Sequence, residues 1–244
     1  MKTTILFKKS TLLFSITFIL FLTSNLVAQN TIKASDILKD IKKGKSISYE
    51  NVTITGTFDM TFMDEKLSDL PKKHKWYKNG GSNSVKETIE SRISFVNCVF
   101  EDDVLAYFHD EDSEYTFTAS FENDIRFKNC EFNRNAMFKY SSFEQNADFS
   151  GSKFKENSTF KYAKFDTHVS FANSIFDESA NFKYTKFRDG VSFNNVKFRD
   201  NLNLKYTKVD GDFNIKGMIV ANDINSKYTD INGNGLSKYL LENN

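Results

Sequence analysis

Asn181-Phe182-Lys183-Tyr184-Thr185-Lys186-Phe187, NFKYTKF, is the stretch that decides the fold. A near copy, NLKYTKV, occupies Asn203–Val209, and FKY also occurs at Phe138–Tyr140 and Phe160–Tyr162. Lys-Tyr therefore returns at 139, 161, 183, 205 and 227, every 22 residues. Outward from NFKYTKF, phenylalanines at 138, 143, 149, 154, 160, 165, 171, 176, 182, 187, 193 and 198 are spaced alternately by five and six. Leu204, Val209, Ile215 and Val220 continue the rhythm, and Phe132, Phe127 and Phe121 extend it backwards. Two positions before each Phe of the unbroken run stands a small or β-branched residue, such as Ala136, Ser152, Ala163, Val169 or Thr185.

This is neither the 3.6-residue period of an amphipathic helix nor strict alternation. It suits short extended segments joined by regular corners, each turning one small and one large residue inward. Four segments then make one circuit of about 22 residues, which is why Lys-Tyr returns to the same face. The units, as in Ala180-Asn181-Phe182-Lys183-Tyr184, resemble those of pentapeptide-repeat proteins, in a Phe-rich variant with alternating five- and six-residue spacing. The resemblance spans about residues 47–231, with gaps. It implies an all-β fold: a right-handed, quadrilateral parallel β-helix of about seven coils.

The expected columns of inward residues follow from the rhythm. One runs Phe95, Thr116, Phe138, Phe160, Phe182, Leu204; the next runs Phe100, Phe121, Phe143, Phe165, Phe187, Val209, Ile231. A third runs Phe127, Phe149, Phe171, Phe193, Ile215, and a fourth Phe132, Phe154, Phe176, Phe198, Val220. Tyr49, Ile54 and Met60 supply an earlier partial turn.

The expected organisation has four parts. Residues 1–28 read as a secretory signal peptide: Lys2, Lys8 and Lys9, then the apolar run Leu12–Leu22, then Leu26-Val27-Ala28 with cleavage near Ala28. Residues 29–46 hold a capping helix, with Ser35 as N-cap, Ile37, Leu38 and Ile41 as its apolar side, and Gly44 as its stop. Residues 47–234 form the coil, interrupted by an insertion at 64–90 that contains the single proline, Pro71, and the single tryptophan, Trp76. Residues 235–244 form a C-terminal cap, because open strand edges need covering. The acidic piece 101–115 fits a distorted coil of 21 residues.

The chain carries 33 basic and 32 acidic residues, a net charge of +1. Without the three lysines of the signal it becomes −2. Such a balance argues against broad nucleic-acid binding. It also disfavours the alternative reading that the family resemblance offers, a nucleic-acid mimic inhibiting a topoisomerase. Export would place the protein in the periplasm or outside the cell, with no membrane span after cleavage.

No catalytic constellation emerges, so the chain is read as non-enzymatic, without cofactor or metal. A glycan-active enzyme would need acids gathered in a groove. Asp110-Glu111-Asp112 does not have the spacing of a known calcium loop. Cys98 and Cys130 suggest a disulfide in an exported chain. The columns above place them on opposite sides, over a layer apart, so buried free thiols are expected instead.

Two surfaces are candidates for binding. Lys139, Tyr140, Lys161, Tyr162, Lys183, Tyr184, Lys205 and Tyr206 should face outward in successive layers, either as a stabilising aromatic ladder or as a flat aromatic strip. Lys75, Trp76 and Tyr77 lie in a basic, aromatic part of the insertion. The expected partner is a protein or glycan of the cell envelope, and an end-to-end or side-to-side homodimer is compatible with the rod.

Overall fold

A computed structural model describes residues 30–70 and 83–242. Thr31–Asn244 form one compact unit. Residues 1–28, expected to be a signal peptide, and Lys75, Trp76 and Tyr77 lie outside the described residues.

The chain coils through four parallel sheets, one with eight strands and three with seven on their main paths. Each strand pairs with its counterpart one circuit earlier and one later. Glu131–Phe132, for example, lies between Val99–Phe100 and Lys153–Phe154. This is a quadrilateral parallel β-helix. We number its walls in the order the chain meets them. The third coil shows the plan: Phe127 points inward from the first wall, Phe132 from the second, Phe138 from the third and Phe143 from the fourth, all buried.

The sequence forms these walls for local reasons. A two-residue strand turns one side chain in and one out, so Lys153 is partly exposed while Phe154 is buried. The corners need left-handed backbone. Between the first and second walls it is supplied by Asn51, Asn97, Asn129, Asn173 and Asn195, at φ of 53–60°. Asparagine tolerates this region better than most residues. Between the third and fourth walls it is supplied by tyrosine, with Phe62 at the same corner in the first coil.

Inside, rings stack along each wall and meet edge to face across the lumen. Phe154 and Phe176 are 4.5 Å apart with planes at 5°, whereas Phe149 and Phe160 meet at 77°. Each buried Phe contributes about 2 kcal/mol by apolar transfer. Aromatic pairs in these geometries add about 0.5–1.5 kcal/mol. Buried hydroxyls at the corners donate to a carbonyl of the preceding coil: Ser152 to Phe127, Thr185 to Phe160, Thr207 to Phe182 and Thr229 to Leu204, all at 2.6–2.7 Å.

The ends are covered. Helix α1, Ala34–Lys42, buries Ala34, Ile37 and Ile41 over the first coil. Ser35 is not its cap: Lys33 holds that place, without a side-chain cap hydrogen bond. A one-turn helix, α2 (Met63–Leu67), follows the first third wall. At the far end α3, Leu236–Glu242, buries Leu236 and sets Tyr239 edge-on to Phe213 at 5.3 Å.

Three expectations require correction. Ser84–Ile89 is not part of an insertion; it is a fourth-wall strand, paired in register with Thr116–Phe121. The 101–115 segment is not a distorted coil. It follows the second wall, which ends at Phe100, and supplies the third at Val104–Leu105, with Ala106 inward. It then leaves as an antiparallel arm in which Tyr107–His109 pairs with Thr116–Thr118. Consequently Phe95 stacks under Phe127, and Phe100 under Phe132, rather than under Thr116 and Phe121. Thr116 opens the strand Thr116–Phe121, pairs with His109 of the arm and belongs to no inward column.

Candidate functional site

Both departures from the coil leave from the same corner. The first separates Met60 on the third wall from Ile89 on the fourth, and the second separates Ala106 from Phe121. In every later coil that corner is occupied by Lys-Tyr. One edge of the helix therefore collects both detours and the repeated Lys-Tyr pair.

The tyrosines form a continuous ladder. Tyr140, Tyr162, Tyr184, Tyr206 and Tyr228 stack at 4.7–4.9 Å with interplanar angles of 2–17°. Tyr107, from the arm, joins below at 6.0 Å from Tyr140. Each lysine lays its ammonium near the ring of the following tyrosine: Lys139, Lys161, Lys183, Lys205 and Lys227 are 5.0–5.2 Å from the centroids. Lys139 also donates to the Tyr107 hydroxyl at 2.9 Å. The neighbouring rings remove water from Tyr184, and its hydroxyl is held above the usual phenol range, first by that desolvation and then by Tyr162 and Tyr206.

The geometry changes what this strip can present. Stacked rings cover one another's faces, so between Tyr107 and Tyr228 the solvent meets ring edges, hydroxyls and ammonium groups. It is a comb of polar groups repeated at each coil, not a flat aromatic platform. The outer face of Tyr228, 61 % exposed, carries no stacked ring among the described residues, and the lower face of Tyr140 meets Tyr107 at a tilt of 50°. Beside the comb, on the third wall, a groove of about 690 Å³ is lined by Tyr107, His109, Lys139, Lys161, Asn157 and Asn181, among others. His109 Nδ1 lies 2.9 Å from Thr116 Oγ1, which fixes its ring at the groove margin.

The structure thus brings Lys139, Tyr140, Lys161, Tyr162, Lys183, Tyr184, Lys205 and Tyr206 into one strip. Sequence reasoning omitted Lys227 and Tyr228, although the 22-residue period reaches them, and Tyr107, which enters from outside the period.

At the other corner, Cys98 and Cys130 are buried and not bonded to each other. They are not on opposite sides. Val99 pairs with Glu131, so the cysteines just before them stack in successive coils on one side. Their thiols lie against backbone carbonyls, Cys98 Sγ 3.2 Å from Val96 O and Cys130 Sγ 3.5 Å from Phe95 O. Among the described residues, no group of three or more His, Cys, Asp or Glu side chains could hold a metal ion. The Asp110 carboxylate instead accepts from the Ser113 amide at 3.0 Å, closing the tip of the arm. No helix among the described residues is long and apolar enough to cross a membrane.

A family model described as "Pentapeptide repeats (9 copies)" matches residues 118–164, 138–186 and 160–208. No curated protein and no solved structure matches the chain.

Proposed function

From the premise that its repeats over residues 118–208 make this chain a pentapeptide-repeat protein, we propose that it is an exported, non-enzymatic binding protein of the cell envelope. It engages a protein or glycan partner through the Lys-Tyr edge. The observation that carries this reading is the convergence of the Tyr ladder, the lysine row, both detours and the third-wall groove on one edge. The comb offers hydroxyl and ammonium groups at a fixed spacing of just under 5 Å. Recognition would therefore run through hydrogen bonds and charge rather than through ring faces. Export follows from the signal-like 1–28 segment. The basic and acidic side chains on the other walls pair between coils, as Arg126 with Asp148 and Arg199 with Asp177. These walls carry both signs of charge, unlike the acidic face of a nucleic-acid mimic.

The test compares wild type with a Tyr140→Asn, Tyr162→Asn, Tyr184→Asn, Tyr206→Asn variant, which keeps a residue suited to the left-handed corner. Each is used to capture partners from envelope extract and to bind insoluble envelope polysaccharide. Loss of a specific partner from a variant that still shows the wild-type circular dichroism supports the reading. Equal capture by both proteins contradicts it.

A further inference from the structure

The geometry points to Cys98 and Cys130 as a site of intramolecular disulfide formation, a covalent clamp between the second and third coils. The two residues lie side by side at the corner between the first and second walls. Register pairs flank them, with Phe127 beside Phe95 and Val96 beside Lys128 before them, and Val99 beside Glu131 after them. The Glu131 amide donates to the Cys98 carbonyl at 2.8 Å, so the backbones are locked at strand spacing. Neighbouring parallel strands lie about 4.8 Å apart, inside the Cα separation that a disulfide accepts, about 4.4–6.8 Å. Both side chains point inward along one column, between Val52 in the coil below and Ser152 above.

The thiols already use equivalent acceptors. Cys130 Sγ is 3.5 Å from the Phe95 carbonyl and Cys98 Sγ is 3.6 Å from that of Tyr49, in the places where Ser152 bonds to Phe127. At Ser152 a hydroxyl makes this bond at 2.6 Å, and serine is what the next two coils carry at this corner. Two adjacent cysteines in a column of otherwise unreactive residues are therefore not required by packing. The chain between them is also distinctive. Corner residues one coil apart are 22 residues apart from Asn173 to Asn195, but 32 apart from Asn97 to Asn129, because that coil carries the arm. The bond would close the coil that the detour enlarges.

The pair is also chemically poised. The neighbouring Cys130 thiol lowers the ionisation of Cys98 to about 7, while Cys98 and burial push that of Cys130 up. The oxidant is a second disulfide, small-molecule or protein. The Cys98 thiolate attacks one of its sulfurs, giving a mixed disulfide and releasing one thiolate. Cys130, losing its proton to that thiolate, then attacks Cys98 Sγ and expels the second thiolate, which takes up the proton that Cys98 gave to the solvent. Two thiols are oxidised by two electrons and one disulfide becomes two thiols. Both sulfurs are buried in the finished coil, so exchange takes place before the first coil docks or when it opens.

The test unfolds the full chain in reductant and refolds it in a buffer of oxidised and reduced glutathione. It is then unfolded again with an alkylating agent and analysed by peptide mass spectrometry. The expected result is a monomer with neither cysteine alkylated and with the Cys98 and Cys130 peptides joined. Amide exchange around Tyr49–Val52 and Val96–Phe100 should slow by about tenfold relative to the reduced protein. Cys98→Ser and Cys130→Ser variants, each serine matching the column above, should fold and show no such slowing in the same buffer. Alkylation of both cysteines, a stable glutathione adduct on either, or a bond only between chains would overturn the assignment.

Discussion

Tyr162 and Tyr184 lie face to face, 4.7 Å apart with planes at 3°, although both sit at backbone positions with φ near +60°. A tyrosine pays roughly 1–2 kcal/mol for that conformation, and the opposite corner avoids much of the cost with asparagine or, at Gly151 and Gly217, glycine. Stacking on both faces and the adjacent ammonium return about 0.5–1.5 and 0.5–1 kcal/mol per contact. Tyr184→Ala keeps the backbone cost and loses both stacks, so it should lower stability by about 1–3 kcal/mol. Tyr184→Asn should lose clearly less. Guanidinium denaturation midpoints of the two variants provide the check, and equal midpoints would mean the corner conformation matters little.

Corner hydroxyls should divide into two classes. Thr185 and Thr207 donate buried hydrogen bonds at 2.7 Å, so Thr→Val at either should cost about 1 kcal/mol. Ser141 and Ser174 are equally buried, but their hydroxyls have no partner. Ser141→Ala, with Ala163 already at the same place one coil on, should be neutral or stabilising. Thermal melts of the three variants distinguish the classes.

Glycine has different reasons at different corners. At Gly190, with φ of +86°, an added Cβ would sit 2.5 Å from the Asp212 carbonyl oxygen and 2.8 Å from its amide nitrogen. At Gly56, with φ of +82°, it would meet nothing within 4 Å. Gly56→Ala should therefore cost only the conformational term, about 1 kcal/mol, while Gly190→Ala should cost distinctly more by forcing the two coils apart. Denaturation of the pair measures the difference directly.

The central rings should be the least replaceable residues. Phe160 touches Phe138 and Phe182 along its wall and Phe149 and Phe171 across the lumen. Phe160→Ala should cost about 3–5 kcal/mol. Because neighbouring coils couple in a repeat stack, its effect should spread into amide exchange of the coils on either side. An exchange change confined to one coil would contradict that coupling.

From Phe121 onward the fold was legible because every circuit has the same length, and a ring every five or six residues can satisfy only a four-sided coil. The error before Phe121 has a simple origin. The arm adds ten residues to the second coil, close to two walls' worth, so the hydrophobic rhythm continues across it while the true side slips by half a circuit. That slip put Phe100 beneath Phe121 and set Cys98 opposite Cys130. A period reveals which residues point inward, but not how many walls a detour has consumed. The Lys-Tyr strip was legible for the same reason as the core. Its true face was not, because whether rings present faces or edges depends on stacking across coils. Tyr107 carried no periodic signal, and its place follows only from the arm folding back onto Thr116–Thr118.

The most direct test of the stacked coil is nuclear Overhauser contact between selectively labelled phenylalanine rings. Phe154 and Phe176, 22 residues apart, should show strong ring-to-ring contacts across 4.5 Å. Phe154 and Phe165, only 11 apart but on opposite walls, should show none. Strong contacts for the nearer pair in sequence, or none for Phe154 and Phe176, would contradict the four-walled coil and every surface assigned to it.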